Sequence, residues 1–315
     1  MLPPYTVIIP NFNHADFIKK RIDSILQQSQ PPDEIIILDD ASTDRSLEII
    51  HNVHDERIRV YSNKQNSGST FLQWKKGIEL ARNEIIWIAE SDDYCAHNMA
   101  ATILPWFSHT DVSFVFSDSV VIDEKDNIIT PSVAKKETQF SIEMSTPLKL
   151  GGSEFVHNWM LSINAVPNAS AVFFRKSLVS DITDEWLKYK VVGDWLFWIE
   201  MAQRGAVVFI PDGLNFFRKH MQTVRESKLR QFNKEKLLFY LYLSKRAEFQ
   251  EERSFLKGRV FNYWWVFLHP KHGWFFNKEI MRLTPEILNN DYGLGLKMLN
   301  RLYEWLTFSK RRKHA

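Results

Sequence analysis

Short apolar, strand-like runs recur along the first ninety positions, at residues 6–10, 34–38, 58–61 and 85–89. Between them the apolar residues fall at helical spacing. Phe17, Ile18, Ile22, Ile25 and Leu26 share one face of the first such segment, and Lys19, Lys20, Arg21 and Asp23 fall mostly on the other. A second segment opens at the capping residues Ser42 and Asp44 and carries Leu47, Ile49, Ile50 and Val53; a third carries Phe71, Trp74, Ile78 and Ala81. Short runs alternating with amphipathic helices predict successive βα units and a Rossmann-like, mostly parallel sheet flanked by helices.

The rhythm changes after Asp93. Residues 112–117 and 120–123 read as strands with a hairpin turn over 124–127, and residues 131–150 read as a loop over the active face. Residues 172–174 and 206–210 read as further strands with a helix over 195–203 between them, and beyond 225 the pattern is helical. The boundaries expected are a first domain over 1–225, divisible at 117/118, and a helical C-terminal extension over 226–315.

Composition narrows the function classes. A chain of 315 residues buries a full core without staples. Its net charge of +2, from 40 basic and 38 acidic residues, makes no global field for nucleic acid. One cysteine, Cys95, excludes a disulfide framework and a multi-cysteine zinc site. The start of the chain carries no secretory pattern, and the longest apolar runs are far short of the roughly twenty residues a spanning helix needs. A cytoplasmic location is the expectation.

Ligands of a parallel sheet bind beyond the carboxyl ends of its strands. Asp39 and Asp40 follow the second run, and Asp92 and Asp93 follow the fourth. Helix capping accounts for either pair alone. Together, four carboxylates over one sheet edge repel one another unless a cation compensates them, and oxygen-only ligands suit Mg2+ or Mn2+ rather than Zn2+. The chain has no Gly-x-x-x-x-Gly-Lys loop and no Gly-x-Gly-x-x-Gly after its first strand, so no glycine cradle holds phosphates.

These segments, in this order, resemble the family 2 glycosyltransferases, which have the A-type glycosyltransferase fold. Val7-Ile8-Ile9-Pro10-Asn11-Phe12-Asn13 is similar to the family's opening strand and loop, Asp39-Asp40-Ala41-Ser42-Thr43-Asp44 to its nucleoside-binding turn, and Ser91-Asp92-Asp93 to its metal-binding motif. The resemblance implies an inverting transferase that takes a nucleoside-diphosphate sugar as donor and a saccharide or lipid-linked saccharide as acceptor, in cell-surface polysaccharide assembly. Its nucleotide-binding part would span 1–117 and its acceptor-binding part 118–225. Pro10, Asn11, Asn13, Asp39, Asp40, Asn66, Gly68 and Asp92 would surround the nucleotide, with Asp40 receiving a hydrogen bond from the base and Asp92 near the ribose. Asp93 would ligate the metal.

The family often continues into an Ala-Arg-Asn-x-Gly helix start, where this chain has Gln73-Trp74-Lys75-Lys76-Gly77; Lys75 or Lys76 would stand in for the arginine at the diphosphate. Val192-Gly193-Asp194-Trp195 resembles the late acidic motif, making Asp194 the general base that deprotonates the acceptor, with a helix N-cap as the plainer alternative. Phe217-Arg218-Lys219-His220 resembles a closing loop in which His220 completes the metal shell and Arg218 faces the diphosphate, and Asn168 and Ser170 would lie beside donor sugar and acceptor. The competing functions are a sugar nucleotidyltransferase, which would need a basic glycine-rich loop after the first strand, and a catalytically silent sugar-binding or scaffold module. Finally, Phe261, Tyr263, Trp264, Trp265, Phe267, Trp274, Phe275 and Phe276, with the basic run 310–313, suggest contact with the inner face of a membrane, against the alternative that the aromatics pack as core.

Overall fold

The structure is a computed structural model. It describes residues 2–131, 146–166, 168–219 and 224–268, with scattered helical positions between 282 and 304. The chain divides into two compact units, Met1–Thr223 and Val224–Ala315.

The first unit begins with β1 (Tyr5–Asn11), α1 (Ala15–Leu26), β2 (Glu34–Asp39), α2 (Ser46–His51), β3 (Ile58–Ser62), α3 (Thr70–Leu80) and β4 (Ile85–Ile88). The four strands are parallel in the order β3-β2-β1-β4, with Val7 opposite both Ile35 and Trp87. Every residue of β1, β2 and β4 is buried. That is why they read as apolar runs: helices cover both faces, and neither face is left to water.

There follow β5 (Tyr94–Cys95), α4 (Met99–Ile103), β6 (Val112–Ile122), β7 (Ile128–Thr130), β8 (Leu148–Leu150), α5 (Gly152–Phe155), β9 (Val172–Arg175), α6 (Gly193–Ala202) and β10 (Ala206–Arg218). The sheet continues β4-β9-β6-β10-β5, with β9 antiparallel to both β4 and β6, and β10 parallel to β6. The α/β class expected from the pattern holds, and this half mixes strand directions. Three expectations are corrected. The two strands foreseen over 112–123 are one, because Ser117, Asp118 and Ser119 are buried and stay in the ladder with β10. The strand foreseen over 206–210 runs on to Arg218 through register shifts near Gly213. Residues 148–150 are not loop but β8, antiparallel to β10, and 132–145 lie outside the described residues.

The second unit contains α7 (Val224–Ser244) and α8 (Arg253–Leu268). They pack through buried Leu237, Tyr240, Leu256, Val260 and Trp264, and Tyr240 stacks on Tyr263 with centroids 5.6 Å apart. Trp264 thus belongs to a core. The side chain of Phe267, and Trp274, Phe275, Phe276 and the run 310–313, lie outside the described residues. No described helix is long and apolar enough to cross a membrane.

What brings α3 down onto the sheet is Gly77. A Cβ there would stand 2.4 Å from Cγ2 of Ile8 and 3.1 Å from Cδ1 of Leu38, both fully buried. Gly77→Ala is therefore expected to destabilise the protein by about 1–3 kcal/mol as the helix lifts to make room, although alanine is the better helix former. A lowered thermal midpoint in a calorimetric scan is the expected reading; an unchanged or raised midpoint would show that the helix does not need this close approach.

Candidate active site

The cleft lies beyond the carboxyl ends of β1, β2 and β4. Asn11, at the end of β1, donates Nδ2 to Asp39 Oδ1 (2.9 Å) and to Ser42 Oγ (3.2 Å), and Asp39 Oδ2 accepts the Ser42 amide (3.0 Å). Asn13 reaches across: its Oδ1 accepts the amides of Thr43 (2.7 Å) and Asp44 (3.3 Å). Both turns need left-handed backbone at non-glycine residues, Asn13 at φ 55° and Ala41 at φ 61°. Such conformations are costly and persist where neighbouring bonds fix them. Pro10 is buried within β1, and Phe12, 43% exposed, stands at the rim.

Asp40, expected at the base, is bonded on both oxygens by the protein. Its Oδ1 accepts Asn63 Nδ2 (2.6 Å), the Ser67 amide (2.9 Å) and Gln73 Nε2 (3.0 Å), and its Oδ2 accepts Ser67 Oγ (2.7 Å). A carboxylate has about four lone-pair sites, so this one is committed to the loop between β3 and α3. Asn66 closes the loop, donating to the Asp40 carbonyl (3.2 Å) and accepting the amide of Gly68, which sits at φ 71°. Lys76 joins from α3 by donating to Asn63 Oδ1 (2.7 Å).

The turn after β4 concentrates negative charge. Glu90 is half-buried; its Oε1 accepts Trp74 Nε1 (2.8 Å), its amide donates to Ser170 Oγ (3.0 Å) and its carbonyl accepts Arg21 Nε (2.9 Å). Burial, then the nearby Asp92 charge, pushes its carboxyl up to about 8, against the opposing pull of Trp74 and Arg21. Asp93 is 2% exposed; Oδ1 accepts the Arg218 amide (2.9 Å) and Oδ2 accepts Asn168 Nδ2. Burial and then Asp92 push it up to about 6. Ser170 also accepts Trp87 Nε1 at its carbonyl (2.8 Å), so the entry to β9 is tied to β4 at both ends of the motif. His14 Nδ1, 2.7 Å from Ser91 Oγ, joins the end of β1 to the same turn.

These carboxylates fit a hard divalent cation. Their oxygens are the right donors, and their raised affinity for protons marks charge that the protein leaves partly uncompensated. Among the described residues no three ligating side chains of the His, Cys, Asp or Glu type converge. Magnesium commonly takes one or two carboxylates and completes its shell with substrate phosphates and water. Asp93 and Asp92 are the residues that would hold it. His220 lies outside the described residues.

Asp194 stands in the first turn of α6, half-buried, and accepts Asn164 Nδ2 (2.9 Å). The N-cap position of this helix is Val192, whose side chain makes no capping bond. Gly193 sets its position: a Cβ there would meet Phe71 Cε2 at 2.5 Å and the Trp186 carbonyl oxygen at 2.6 Å. The helix start is thereby pressed onto an aromatic cluster in which Phe71 meets Trp74 (5.2 Å between centroids) and Trp186 meets Phe197 (4.9 Å).

Two residues expected near the diphosphate have their charged ends taken up by protein groups. Lys75 points along α3 to Asp184 (2.5 Å) and lines a 510 Å³ cavity with Lys176 and Trp186. Arg218, 3% exposed, donates Nε to the Asp92 carbonyl (2.7 Å), Nη1 to the Asp123 carbonyl (2.7 Å) and Nη2 to Asp126 Oδ1 (2.6 Å), so its guanidinium is occupied by the protein. Sequence reading missed Glu90, Gln73, Trp74, Asn164 and His14. Glu90 alone carried a signal, its place beside the Ser-Asp-Asp motif.

Known proteins resemble this chain in sequence and fold. Residues 6–179 match the model for glycosyl transferase family 2. The glycosyltransferase GlyG of Streptococcus pneumoniae is 32% identical over 123 residues, covering 38% of this chain and 40% of that protein. An Escherichia coli enzyme described as a UDP-Glc:α-D-GlcNAc-diphosphoundecaprenol β-1,3-glucosyltransferase is 30% identical over 125 residues, covering 40% of this chain and 49% of its own. The alignment with GlyG thus spans well under two thirds of that relative's length. Staphylococcus aureus TarS residues 1–349 with bound UDP-GlcNAc superposes with a TM-score of 0.61 at 16% identity, covering 82% of this chain and 71% of that one. That likeness is one of fold, and the fold is the A-type glycosyltransferase fold. With its family match covering more than half the chain and its acidic turns standing over the carboxyl ends of β2 and β4, the chain belongs to glycosyl transferase family 2.

Proposed function

We propose that the protein transfers a sugar, with inversion, from a nucleoside-diphosphate sugar to an acceptor hydroxyl, with Asp194 as the base. One observation carries this reading. Asn164 is bonded to Asp194 and Asn168 to Asp93, and four residues of chain span at most about 14 Å. This short segment ties both carboxylates to one stretch of chain, which supports one serving the departing diphosphate and the other the incoming hydroxyl.

The roles follow from the surroundings. Asn11, Asp39, Asn13, Asn66 and Gly68 build the wall that receives the nucleoside, with the exposed ring of Phe12 as an apolar face for the base. Asp40 serves that wall from behind through the loop it fixes, and Lys76 brings the nearest α3 ammonium toward it through Asn63. A divalent ion at Asp93, when bound, supplies positive charge to the oxygens of the leaving diphosphate, so that no proton donor is needed there. Asp194 takes the acceptor proton as the new bond forms, and the Asn164 amide orients the carboxylate without neutralising it. Asn168 and Ser170 hold Asp93 and Glu90 at the sugar's edge.

UDP-sugars are the first donors to test, because the similar TarS structures hold UDP and UDP-GlcNAc. The E. coli relative's diphosphoundecaprenol acceptor supports a lipid-linked saccharide as acceptor and a working position at the cytoplasmic face of a membrane, with the C-terminal unit making the contact. A panel of nucleotide sugars with and without Mn2+ should single out donors that raise the thermal midpoint only with the metal. A panel in which none does so would overturn the reading.

Three substitutions test the assignments. Asp194→Asn is expected to lower kcat by at least a hundredfold with donor affinity unchanged, since a general base typically contributes 10²–10⁴-fold; weakened donor affinity at normal kcat would make it a binding residue. Asp93→Asn should weaken Mn2+ binding in the presence of UDP by about tenfold or more, followed by the paramagnetic signal of free Mn2+. Asp40→Ala should strip the acceptor from Ser67, Asn63 and Gln73 at a cost of about 1–3 kcal/mol per stranded group, and hydrogen exchange at residues 63–69 should accelerate. Protection equal to wild type there would mean that Asp40 does not anchor the loop.

A further inference from the structure

Two arginines reach the Glu90–Asp93 turn from opposite directions in the chain. Arg21, on α1, is 0% exposed and donates Nε to the Glu90 carbonyl (2.9 Å). Arg218, at the end of β10, is 3% exposed and donates Nε to the Asp92 carbonyl (2.7 Å) while its own amide binds Asp93 Oδ1 (2.9 Å). Each guanidinium lies over an aromatic ring, Arg21 over Trp87 (5.7 Å) and Arg218 over Phe17 (4.6 Å). Neither charge is there for solubility, and burying a cation is costly unless opposite charge offsets it. The offset is the acidic turn itself, since Arg21 acts electrostatically on both Glu90 and Asp93. Among the described residues Nη1 and Nη2 of Arg21 are buried with no nitrogen or oxygen partner, so the bond from Nε to the Glu90 carbonyl is what directs this side chain.

We propose that Arg21 and Arg218 are positioning residues that grip the Glu90–Asp93 turn by its main-chain carbonyls and so aim the Asp92 and Asp93 carboxylates at the metal and diphosphate, neither arginine touching the substrate. The inference rests on the reading that this turn faces the diphosphate. The grip is geometric as well as electrostatic. A planar guanidinium bonded through Nε fixes the carbonyl's orientation, whereas a lysine ammonium is a point charge on a flexible stem. Arg218 is itself tied at Asp123 and Asp126, and Asp126 also receives Lys20 (2.7 Å), so the grip is braced against α1 from both sides.

The test uses Arg21→Lys and Arg218→Lys in the full chain, which keep the charge and remove the fork. Hydrogen exchange in peptides covering residues 88–96 is expected to quicken by at least tenfold in each, with peptides of β1 and β2 unchanged. Mn2+ affinity measured with UDP present should fall by at least tenfold. The double variant should lose less than the product of the two single losses, because both hold one turn. Exchange at 88–96 equal to wild type, or a loss spread evenly over the sheet, overturns the proposal; so does wild-type Mn2+ affinity in both lysine variants. If wild type itself fails to bind Mn2+ and UDP, the functional reading falls, and the exchange measurement still decides whether the arginines hold the turn. Should a lysine variant not fold, Asp126→Asn loosens Arg218 from a half-exposed position, and a lack of faster exchange at 88–96 in that protein counts against the Arg218 arm.

Discussion

Carboxylates crowded into the edge of an apolar sheet repel one another and resist losing water, and the first unit of this protein is organised around that constraint. Asp39, Asp40 and Asp93 are all nearly inaccessible, and Glu90 is half-buried beside them. The surrounding sequence answers with donors: Asn11 and the Ser42 amide for Asp39, Asn63, Ser67 and Gln73 for Asp40, Trp74 for Glu90, Asn168 and the Arg218 amide for Asp93. Around Asp39 and Asp40 the compensation is complete enough to make scaffolding of two acids. Around Glu90 and Asp93, burial and then the neighbouring Asp92 charge hold the carboxyls well above the usual carboxylate range in spite of those donors.

The donors come from far along the chain, which limits how much of the site sequence could reveal. The strands and their terminal acids were legible, because a strand buried on both faces leaves no polar gap and an acid at its end interrupts the run visibly. The strand at 172–174 was legible too, but its antiparallel place between β4 and β6 was not, since its four residues fix no neighbour by themselves. Arg21 was misread outright. Its charge suggested the wet face of α1, yet it lies three residues after Ile18 and four before Ile25, on the buried stripe. What makes that place tolerable is the Glu90 turn, 69 residues away, and no local pattern carries such information. Asn164 and Gln73 were invisible for the same reason, being polar residues whose partners sit 30 and 33 positions off.

Aromatic packing links the two halves of the site. Trp74 meets Trp186, Phe197 and Trp198 with centroids between 6.1 and 6.3 Å apart, and its indole N–H is the donor to Glu90. One side chain thus belongs to the wall behind α6, which carries Asp194, and to the acidic turn that carries Asp93. Close-packed interiors transmit displacement rather than absorb it. The spacing between Asp194 and the acidic turn is therefore a property of the hydrophobic core as much as of the cleft.

Cys95 gives that edge of the molecule an internal reporter. It is the only cysteine in the chain, buried two residues past Asp93 on β5, with its sulfur 3.4 Å from Ser24 Oγ on α1. A thiol reagent can reach it only when β5 parts from β10 or α1 lifts away. Its alkylation rate then counts openings of the acidic edge one molecule at a time, in a protein that needs no engineered label and offers no second thiol to confuse the signal.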